Sequence, residues 1–321
     1  MEYRRLGRTG LKVSTICLGT MQFGWSTGEA KAHEIMSEAL DSGVNFFDTA
    51  DIYSTWVEGN PGGVSEQIIG SWLKTSDVRR DDVVIATKVR GEMGEGPNDQ
   101  GLSRLHILNS VRDSLQRLQT DYVDLYQVHW PDEETPLEET LRALDDLVRT
   151  GLVRYIGCSN YPAWLLAKSL WVSNVRSLVR FESLQPHYNL VHRAEFEREL
   201  QPLCLDQEIG VIPYSPLAAG FLTGKYRRDS SLPDSERAGS IRERYMNDRG
   251  FTAVDKLEDI GRGHEATIAQ TAVAWILANP AVTSAIIGAN SVEQLRDTMM
   301  GAEVALSVEE KAALDDTTAW D

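Results

Sequence analysis

A regular alternation of strand-like and helix-like segments, starting near Ser14, restricts the fold of this chain more than any other feature. Short runs rich in β-branched and aromatic residues predict eight strands, at residues 15–18, 44–47, 83–87, 123–128, 153–157, 181–185, 210–213 and 283–287. Helix-like segments lie at residues 28–42, 65–73, 103–118, 136–150, 162–171, 193–206, 267–278 and 292–299. This order is typical of βα units that build one parallel sheet.

Two parallel architectures have this order, a closed (β/α)8 TIM barrel and an open doubly wound sheet. Eight units in 321 residues fit the barrel, which commonly forms one domain of this length. The open sheet should carry Gly-x-Gly-x-x-Gly after its first strand, and the residues from Gly19 to Gly24 do not supply it. We therefore predict a single (β/α)8 barrel domain spanning residues 1–321.

Two segments lie outside the repeat. The turn signal Gly7-Arg8-Thr9-Gly10 predicts a β-hairpin at residues 2–14 that covers one end of the barrel. The long loop at 215–250, after strand seven, is rich in Arg, Asp, Ser and Gly, and loops of this length are usually lids, binding loops or disordered. Thr135 and Gly151 are the expected caps of the fourth helix. The chain ends soon after the last helix, so we expect a pocket-closing C-terminal loop to be absent or brief.

The charge balance restricts the partners. A formal net charge of −16 and a pI near 4.9 argue against nucleic acid and against an anionic membrane surface, because both attract basic proteins. No signal peptide or membrane-spanning run is recognisable. Cys17, Cys158 and Cys204 are widely spaced, which fits reduced, packed thiols. We expect a cytoplasmic protein that acts on a small molecule; the sequence does not indicate its oligomeric state.

No metal site and no phosphate-binding Walker loop is predicted. The chain lacks His-Glu-x-x-His, and His187 with His192 forms a pair without a third ligand. The run from Gly220 to Lys225 has one residue too few between its glycines for a Walker loop, and no Ser or Thr follows its lysine.

Titratable side chains follow three successive predicted strands. Asp48 follows the second strand, Lys88 the third and His129 the fourth, and Tyr53 lies a few residues beyond Asp48. Active sites of (β/α)8 barrels lie at the carboxyl ends of the strands, so we expect these four side chains to meet at one rim.

This set suits proton transfer by the tyrosine. A nearby ammonium favours phenolate, so Lys88 is expected to lower the pKa of Tyr53, and a buried Asp48 to keep Lys88 charged. His129 would orient or polarise a carbonyl oxygen. Tyr53 would protonate a substrate that also receives a hydride. Because no protein side chain supplies hydride, a cofactor is implied.

The sequence resembles the aldo-keto reductase family over essentially its whole length. The resemblance lies in Gly43-Val44-Asn45-Phe46-Phe47-Asp48-Thr49-Ala50-x-x-Tyr53, in Thr87-Lys88, in Asp121 to His129 and in Ile156-Gly157-Cys158-Ser159-Asn160. It implies that Asp48, Tyr53, Lys88 and His129 form the family's catalytic tetrad. Tyr53 would be the acid in reduction and the base in oxidation.

The same resemblance implies contacts with a nicotinamide cofactor. Ser159, Asn160 and Gln185 would bind the carboxamide, and Tyr214 would stack beneath the ring. Further expected cofactor contacts are Gly19, Thr20, Met21 and Asp48, the pyrophosphate-covering residues Ser215, Pro216, Leu217, Gly220 and Lys225, and the adenosine-side residues Gly288, Asn290 and Gln294. Related sequences often carry a basic residue near Gly288, Asn290 or Gln294 that contacts the 2′-phosphate of NADP. In this chain all three residues are uncharged. NADP is the expected cofactor, with NAD as the alternative.

Trp25, Trp56 and Trp130 follow strands and would line the mouth, where aromatic walls suit a sugar face or an apolar carbonyl compound equally. The leading hypothesis is reversible NAD(P)H-dependent reduction of an aldehyde, ketone or sugar to an alcohol. One alternative is a Schiff-base lyase with Lys88 as nucleophile. Another is a slow-turnover, cofactor-sensing subunit that acts through partners.

Overall fold

The computed structural model describes residues 1–228 and 238–320. A two-stranded antiparallel hairpin, β1 (Tyr3–Arg5) and β2 (Lys12–Ser14), precedes the main sheet. The hairpin predicted at residues 2–14 is confirmed. Among the described helices, none is long and apolar enough to cross a membrane.

Eight parallel strands form the main sheet in the order β10-β3-β4-β5-β6-β7-β8-β9. They are β3 (Ile16–Gly19), β4 (Phe46–Asp48), β5 (Val84–Val89), β6 (Val123–Val128), β7 (Val153–Ser159), β8 (Phe181–Gln185), β9 (Gly210–Val211) and β10 (Ala285–Ile287). The two ends of this order meet, because Thr283 N donates to Val211 O at 2.8 Å and Ile286 N donates to Pro213 O at 3.0 Å. The predicted (β/α)8 barrel is therefore confirmed.

The α-helices that surround the sheet and follow it in the described residues are α1 (Glu29–Asp41), α2 (Val64–Thr75), α3 (Arg104–Leu118), α4 (Leu137–Arg149), α5 (Ala163–Arg176), α6 (Gln201–Asp206), α7 (Ala238–Tyr245), α8 (Asp248–Gly263), α9 (Ile268–Leu277), α10 (Val292–Met299) and α11 (Val308–Thr317). Their buried faces share one core with the outward side chains of the strands. A second, smaller core fills the barrel interior and includes Cys17, Phe46 and Leu125. Strand residues thus alternate between the two cores.

The hairpin closes the amino-terminal end of the barrel. Leu6 and Val13 are fully buried in the interior core, next to Phe46. Gly7 has φ of +57°, and a Cβ there would approach Glu182 O to 2.5 Å. Glycine is therefore needed at this turn, because the backbone lies directly against β8.

The prediction of a loop throughout 215–250 was wrong. Short 3₁₀ turns lie at Ala218–Thr223, α7 covers residues 238–245, and α8 already begins at Asp248. The Asn247 side chain accepts from Gly250 N at 2.9 Å and caps α8, and apolar residues at helical spacing then bury one face. Residues 229–237 of the predicted loop lie outside the described residues.

Other boundaries also differ from the prediction. Thr135 does not cap α4: its hydroxyl donates to Asp132 Oδ2 at 2.7 Å, and Pro136 occupies the cap. The helix predicted at 193–206 consists of a π-helical turn, Phe196–Leu200, followed by α6. Pro202 lacks the N–H of a regular helical bond, which favours this break. Gly151, with φ of +80°, does follow the end of α4.

Candidate active site

Four side chains meet at the carboxyl end of the barrel. Lys88 Nζ donates to Asp48 Oδ2 at 2.5 Å, to Thr49 O at 2.8 Å and to Tyr53 OH at 2.9 Å. The rings of Tyr53 and His129 lie edge to face, with centroids 6.0 Å apart. The structure thus brings together the four residues that the sequence predicted to share a rim.

The strand register produces this arrangement. Asp48 is the last residue of β4 and pairs with Ala86 of β5, two residues before Lys88. Ala86 belongs to the interior core, and because side chains alternate along a strand, Lys88 also points into the barrel. Both Asp48 and Lys88 lie within strands, whereas the sequence suggested that they follow them. His129 comes directly after β6.

The turn after β4 places Tyr53. Tyr53 N donates to Ala50 O at 3.4 Å, and Asp51 N donates to Lys88 O at 3.4 Å, which ties the turn to β5. Ser54 follows with φ of +73°, and its hydroxyl donates to Phe23 O at 3.1 Å. These bonds direct the phenol of Tyr53 toward the Lys88 ammonium.

Burial and charge act in opposite directions on this pair. Burial lowers the pKa of Lys88, but Asp48 and Tyr53 outweigh it, so the pKa is raised and the amine is an ammonium. The pKa of Tyr53 is raised by burial, although Lys88 lowers it. The expected lowering by Lys88 is present, but burial outweighs it. At neutral pH Tyr53 carries its proton.

His129 is neutral in this environment. Burial lowers its pKa well below the usual range, and the positive charges of Lys88 and Arg90 act in the same direction. Its Nδ1 is buried, with no hydrogen-bond partner among the described residues. The ring stacks on Trp130, with centroids 3.7 Å apart.

Sequence reasoning missed two groups behind these residues. Gln127 Nε2 donates to Asp48 Oδ1 at 3.0 Å, and Gln185 Nε2 donates to the same oxygen at 2.8 Å. Glu66, fully buried on α2, accepts from Thr87 Oγ1 at 2.5 Å and from Arg117 Nε at 2.6 Å. Gln127 lies two residues before His129, so strand alternation could have identified it. Glu66 gives no such local signal.

The predicted carboxamide contacts are close together. Ser159 Oγ donates to Gln185 O at 2.8 Å, and Asn160 Nδ2 donates to His129 O at 2.9 Å. Tyr214 OH donates to Asn160 Oδ1 at 3.0 Å, while His187 stacks on the Tyr214 ring at 5.2 Å. Amides, a hydroxyl and an aromatic ring beside the barrel mouth are groups that fit a nicotinamide.

The other predicted cofactor contacts lie at the end of β3 and after β9. Gly19 is paired with Asp48, Met21 is partly buried, and the Thr20 hydroxyl already donates to Asp48 O at 3.0 Å. After β9 come Ser215, Pro216, Leu217, Gly220 and Lys225, where Ser215 and Gly220 have positive φ. Lys225 lies against Gly220: a Cβ on this glycine would be 3.4 Å from Lys225 Nζ.

Beyond β10, the side chains of Asn290 and Gln294 are already engaged. Asn290 Oδ1 accepts from Ser26 Oγ at 3.1 Å and from Thr27 Oγ1 at 2.9 Å. Gln294 Oε1 accepts from Asn290 N at 2.9 Å. Gly288 lies over the Gln22 amide, because a Cβ on this glycine would be 3.1 Å from Gln22 Oε1. This segment therefore offers backbone and amide groups and no cation of its own at these three residues.

The three predicted mouth tryptophans surround the tetrad. Trp25 and Trp56 meet edge to face at 5.5 Å, Trp56 lies 6.4 Å from Tyr53, and Trp130 stacks on His129. They form an aromatic wall beside the rings of Tyr53 and His129. A cavity of about 560 Å³ is lined by Asn160, Tyr214 and His187 among others.

The predicted buried thiols are present. Cys17, Cys158 and Cys204 are all free and buried. His187 and His192 stack at 4.0 Å, and in the part of the chain that the structure describes no three metal-binding side chains converge.

Comparisons with known proteins agree with this geometry. The family model for the "Aldo/keto reductase family" matches residues 15–319. The uncharacterized oxidoreductase YrpG of Bacillus subtilis is 42% identical over 320 residues, covering 98% of this chain and 95% of that protein. A probable voltage-gated potassium channel subunit beta of Arabidopsis thaliana is 38% identical over 309 residues, covering 95% and 92%. Versiconal hemiacetal acetate reductase of Aspergillus parasiticus is 36% identical over 341 residues, covering 98% and 96%. The chain therefore belongs to the aldo/keto reductase family of oxidoreductases.

Proposed function

We propose that this protein reduces a carbonyl compound, an aldehyde, ketone or sugar, to an alcohol in a reversible NAD(P)H-dependent reaction. The observation that carries the proposal is the 2.9 Å contact between the Lys88 ammonium and the Tyr53 hydroxyl at the barrel mouth. Members of this family use nicotinamide cofactors, and the similarity to a reductase of Aspergillus parasiticus supports the same reaction class.

Tyr53 delivers the proton in this proposal. Its phenol holds the proton at neutral pH, because burial raises the pKa of Tyr53. As the proton moves to the substrate oxygen, the developing phenolate is stabilised by Lys88 Nζ, which Asp48 keeps charged. In oxidation the same oxygen accepts the proton. The bound cofactor supplies or accepts the hydride.

His129 orients the substrate oxygen. Its buried Nδ1 finds no acceptor among the described residues, so the neutral ring carries its proton on Nε2. Nε2–H then donates to the carbonyl oxygen, while Trp25, Trp56 and Trp130 exclude water from it.

Ser159, Asn160 and Gln185 hold the carboxamide, and Tyr214 supports the ring. Gly19, Thr20, Met21 and Asp48 line the nicotinamide end, and Ser215, Pro216, Leu217, Gly220 and Lys225 cover the pyrophosphate. Gly288, Asn290 and Gln294 lie toward the adenosine. Hydrogen bonds from the Tyr214 hydroxyl to Asn160 Oδ1, and from Asn160 Nδ2 to the His129 carbonyl, connect the cofactor side of the rim to the substrate side.

Cofactor choice depends on the cation available to the 2′-phosphate. Arg227 and Arg228 already pair with Glu258 at 3.3 Å and Asp248 at 2.6 Å, whereas Lys225 pairs with no carboxylate in the described residues. We infer that the protein binds NADP and discriminates only weakly against NAD.

Asn290→Arg should shift the preference toward NADP by about ten- to a hundred-fold, the value of one charged hydrogen bond. Fluorescence titration of both cofactors against wild type and variant measures this shift. A wild type that already discriminates a thousand-fold, and that the substitution leaves unchanged, would show that another residue holds the phosphate.

A panel of aldehydes, ketones and sugars, assayed by cofactor absorbance, tests the proposed reaction. We expect oxidation of NADPH or NADH that depends on the carbonyl compound. The Schiff-base lyase would need an unprotonated, accessible lysine, yet Lys88 is fully buried and its pKa is raised. Borohydride with substrate should therefore trap no adduct on Lys88, and a trapped adduct would favour the lyase.

A second function has a specific observation in its favour. The 38% identity to a protein named a probable voltage-gated potassium channel subunit beta supports a subunit that acts through a partner, as in the hypothesis of a slow-turnover, cofactor-sensing subunit. A subunit of this kind would bind the cofactor tightly, oxidise it slowly with every carbonyl compound and act through a partner. Stopped-flow measurement distinguishes the two: slow multiple turnover after one fast hydride transfer favours the sensing subunit.

A further inference from the structure

Arg90 is the next residue after β5 and lies close to the proposed reaction centre. It comes two residues after Lys88, and the intervening Val89 packs into the outer core. His129 N donates to Val89 O at 3.0 Å, so Arg90 lies beside His129 at the carboxyl end of the barrel. Its charge is among those that lower the pKa of the neighbouring His129.

The backbone at Arg90 is strained. Its φ is +130°, a conformation that residues with a side chain rarely adopt. Arg90 O accepts from Gly101 N at 3.0 Å, and a Cβ on the following Gly91 would clash with Ile52 in the turn that carries Tyr53. Close packing on both sides thus maintains the strain, and such strain is concentrated at functional sites.

The Arg90 guanidinium has no partner in residues 1–228 and 238–320. The side chain is half-buried, its Nε is buried without a hydrogen bond, and no carboxylate lies within 4.0 Å of it. This is unusual in a chain with 48 acidic and 32 basic residues. Arg80 and Arg117, by contrast, pair with Asp124 and Glu66 at 2.6 Å. A buried unsatisfied donor is costly, so a ligand that pairs with it gains correspondingly.

We propose that Arg90 binds an anionic group, a carboxylate or a phosphate, on the carbonyl substrate. The proposal rests on the proposed reductase function and specifies its substrate class. The guanidinium fork matches both oxyanions in shape and charge. The aromatic wall formed by Trp25, Trp56 and Trp130 would hold the uncharged part of the same molecule.

Matched aldehydes test this assignment. We would compare 3- and 4-carboxybenzaldehyde with their methyl esters, and glyceraldehyde 3-phosphate with glyceraldehyde, by kcat/KM. Wild type should prefer the anionic member of at least one pair by about ten- to a hundred-fold, the range of a charged hydrogen bond. Preference in the benzaldehyde pairs identifies a carboxylate, and preference in the glyceraldehyde pair identifies a phosphate.

Arg90→Gln should lower kcat/KM for the anionic members about ten- to a hundred-fold more than for the neutral esters, mainly through KM, and so remove the preference. Arg90→Lys keeps the positive charge but not the two-pronged guanidinium, and it should retain part of the preference. If Arg90→Gln does not fold, Arg90→Lys replaces it as the test variant. Arg112→Gln, which removes an exposed charge on α3, is the matched control and should leave both classes unchanged.

Two results would overturn the assignment of Arg90. One is reduction of the neutral aldehydes by wild type without any preference for charge, which would leave the reductase proposal intact. The other is an equal loss on both classes in the Arg90 variants, which would make Arg90 a packing residue. If wild type reduces none of these or the panel compounds, the reductase proposal itself fails.

Discussion

Asp48→Asn should strongly destabilise the fold, because it leaves the Lys88 ammonium buried without its counter-ion. Lys88 is fully buried and Asp48 is 2% exposed, and their charged atoms are 2.5 Å apart. The single amide oxygen of an asparagine can accept either from Nζ or from the Gln127 and Gln185 amides, but it cannot replace both carboxylate oxygens and it carries no charge. Breaking one side of a buried ion pair costs about 3–5 kcal/mol, and we expect this loss in the free energy of unfolding.

Urea unfolding at pH 7, followed by two spectroscopic probes, measures this loss, and a double-mutant cycle assigns it to the pair. Lys88→Met alone should also destabilise, whereas Asp48→Asn with Lys88→Met should cost at least about 2 kcal/mol less than the two single losses together. Additive losses, or an Asp48→Asn loss below about 1 kcal/mol, would refute the buried ion pair.

In the wild type, the contribution of the Asp48–Lys88 pair to stability should be independent of pH over the neutral range. The pKa of Lys88 is raised in the folded protein, so its pairing contributes fully below the unfolded pKa of about 10.4 and declines only as pH rises through the folded value. In Asp48→Asn, Lys88 stays buried but loses its counter-ion, so its pKa is lowered and the loss in the free energy of unfolding should be smaller at pH 9 than at pH 6.

Two further predictions concern neighbouring groups. Burial and the nearby Glu66 raise the pKa of Asp51 to about 8, so the folded protein keeps a proton that the unfolded chain releases near pH 4, and stability should fall as pH rises from about 4 to 8. Asp51→Asn should remove several kcal/mol of this pH dependence, on the order of 1.4 kcal/mol per pKa unit. Urea unfolding at a series of pH values measures the free energy of unfolding, and an unchanged pH profile would contradict the prediction. His129→Ala should lower kcat by about 100- to 1,000-fold with cofactor affinity unchanged, as expected for an oxyanion donor, whereas His264→Ala at the end of α8 should not. A loss confined to thermal stability would make His129 a packing residue.

Local sequence patterns predicted the barrel well. The strands at 123–128 and 181–185 and the helix at 292–299 have the predicted bounds, because apolar runs and caps are local signals. The proximity of Asp48, Lys88 and His129 also followed from local information, since each ends or follows a strand and parallel strands align these ends.

Features that depend on long-range packing could not be predicted in this way. Glu66 reaches Thr87 and Arg117 through side chains that are distant in sequence, and the strain at Arg90 depends on the loop around Ile52. The helix α11, in contrast, had a readable signal that was overlooked: Ser307 and Glu310 form a capping box. The net rise in the pKa of Tyr53 required the degree of burial, which a sequence does not give.

Single-turnover reduction by Tyr53→Phe tests most directly whether Tyr53 delivers the proton. Tyr3→Phe, which removes an exposed hydroxyl from the hairpin at the opposite end of the barrel, is the control. We expect Tyr53→Phe to bind the cofactor within two-fold of wild type and to transfer hydride about 100- to 10,000-fold more slowly, the usual worth of a general acid. A Tyr53→Phe protein that keeps more than half of the wild-type single-turnover rate, with chemistry rate-limiting, would contradict the account.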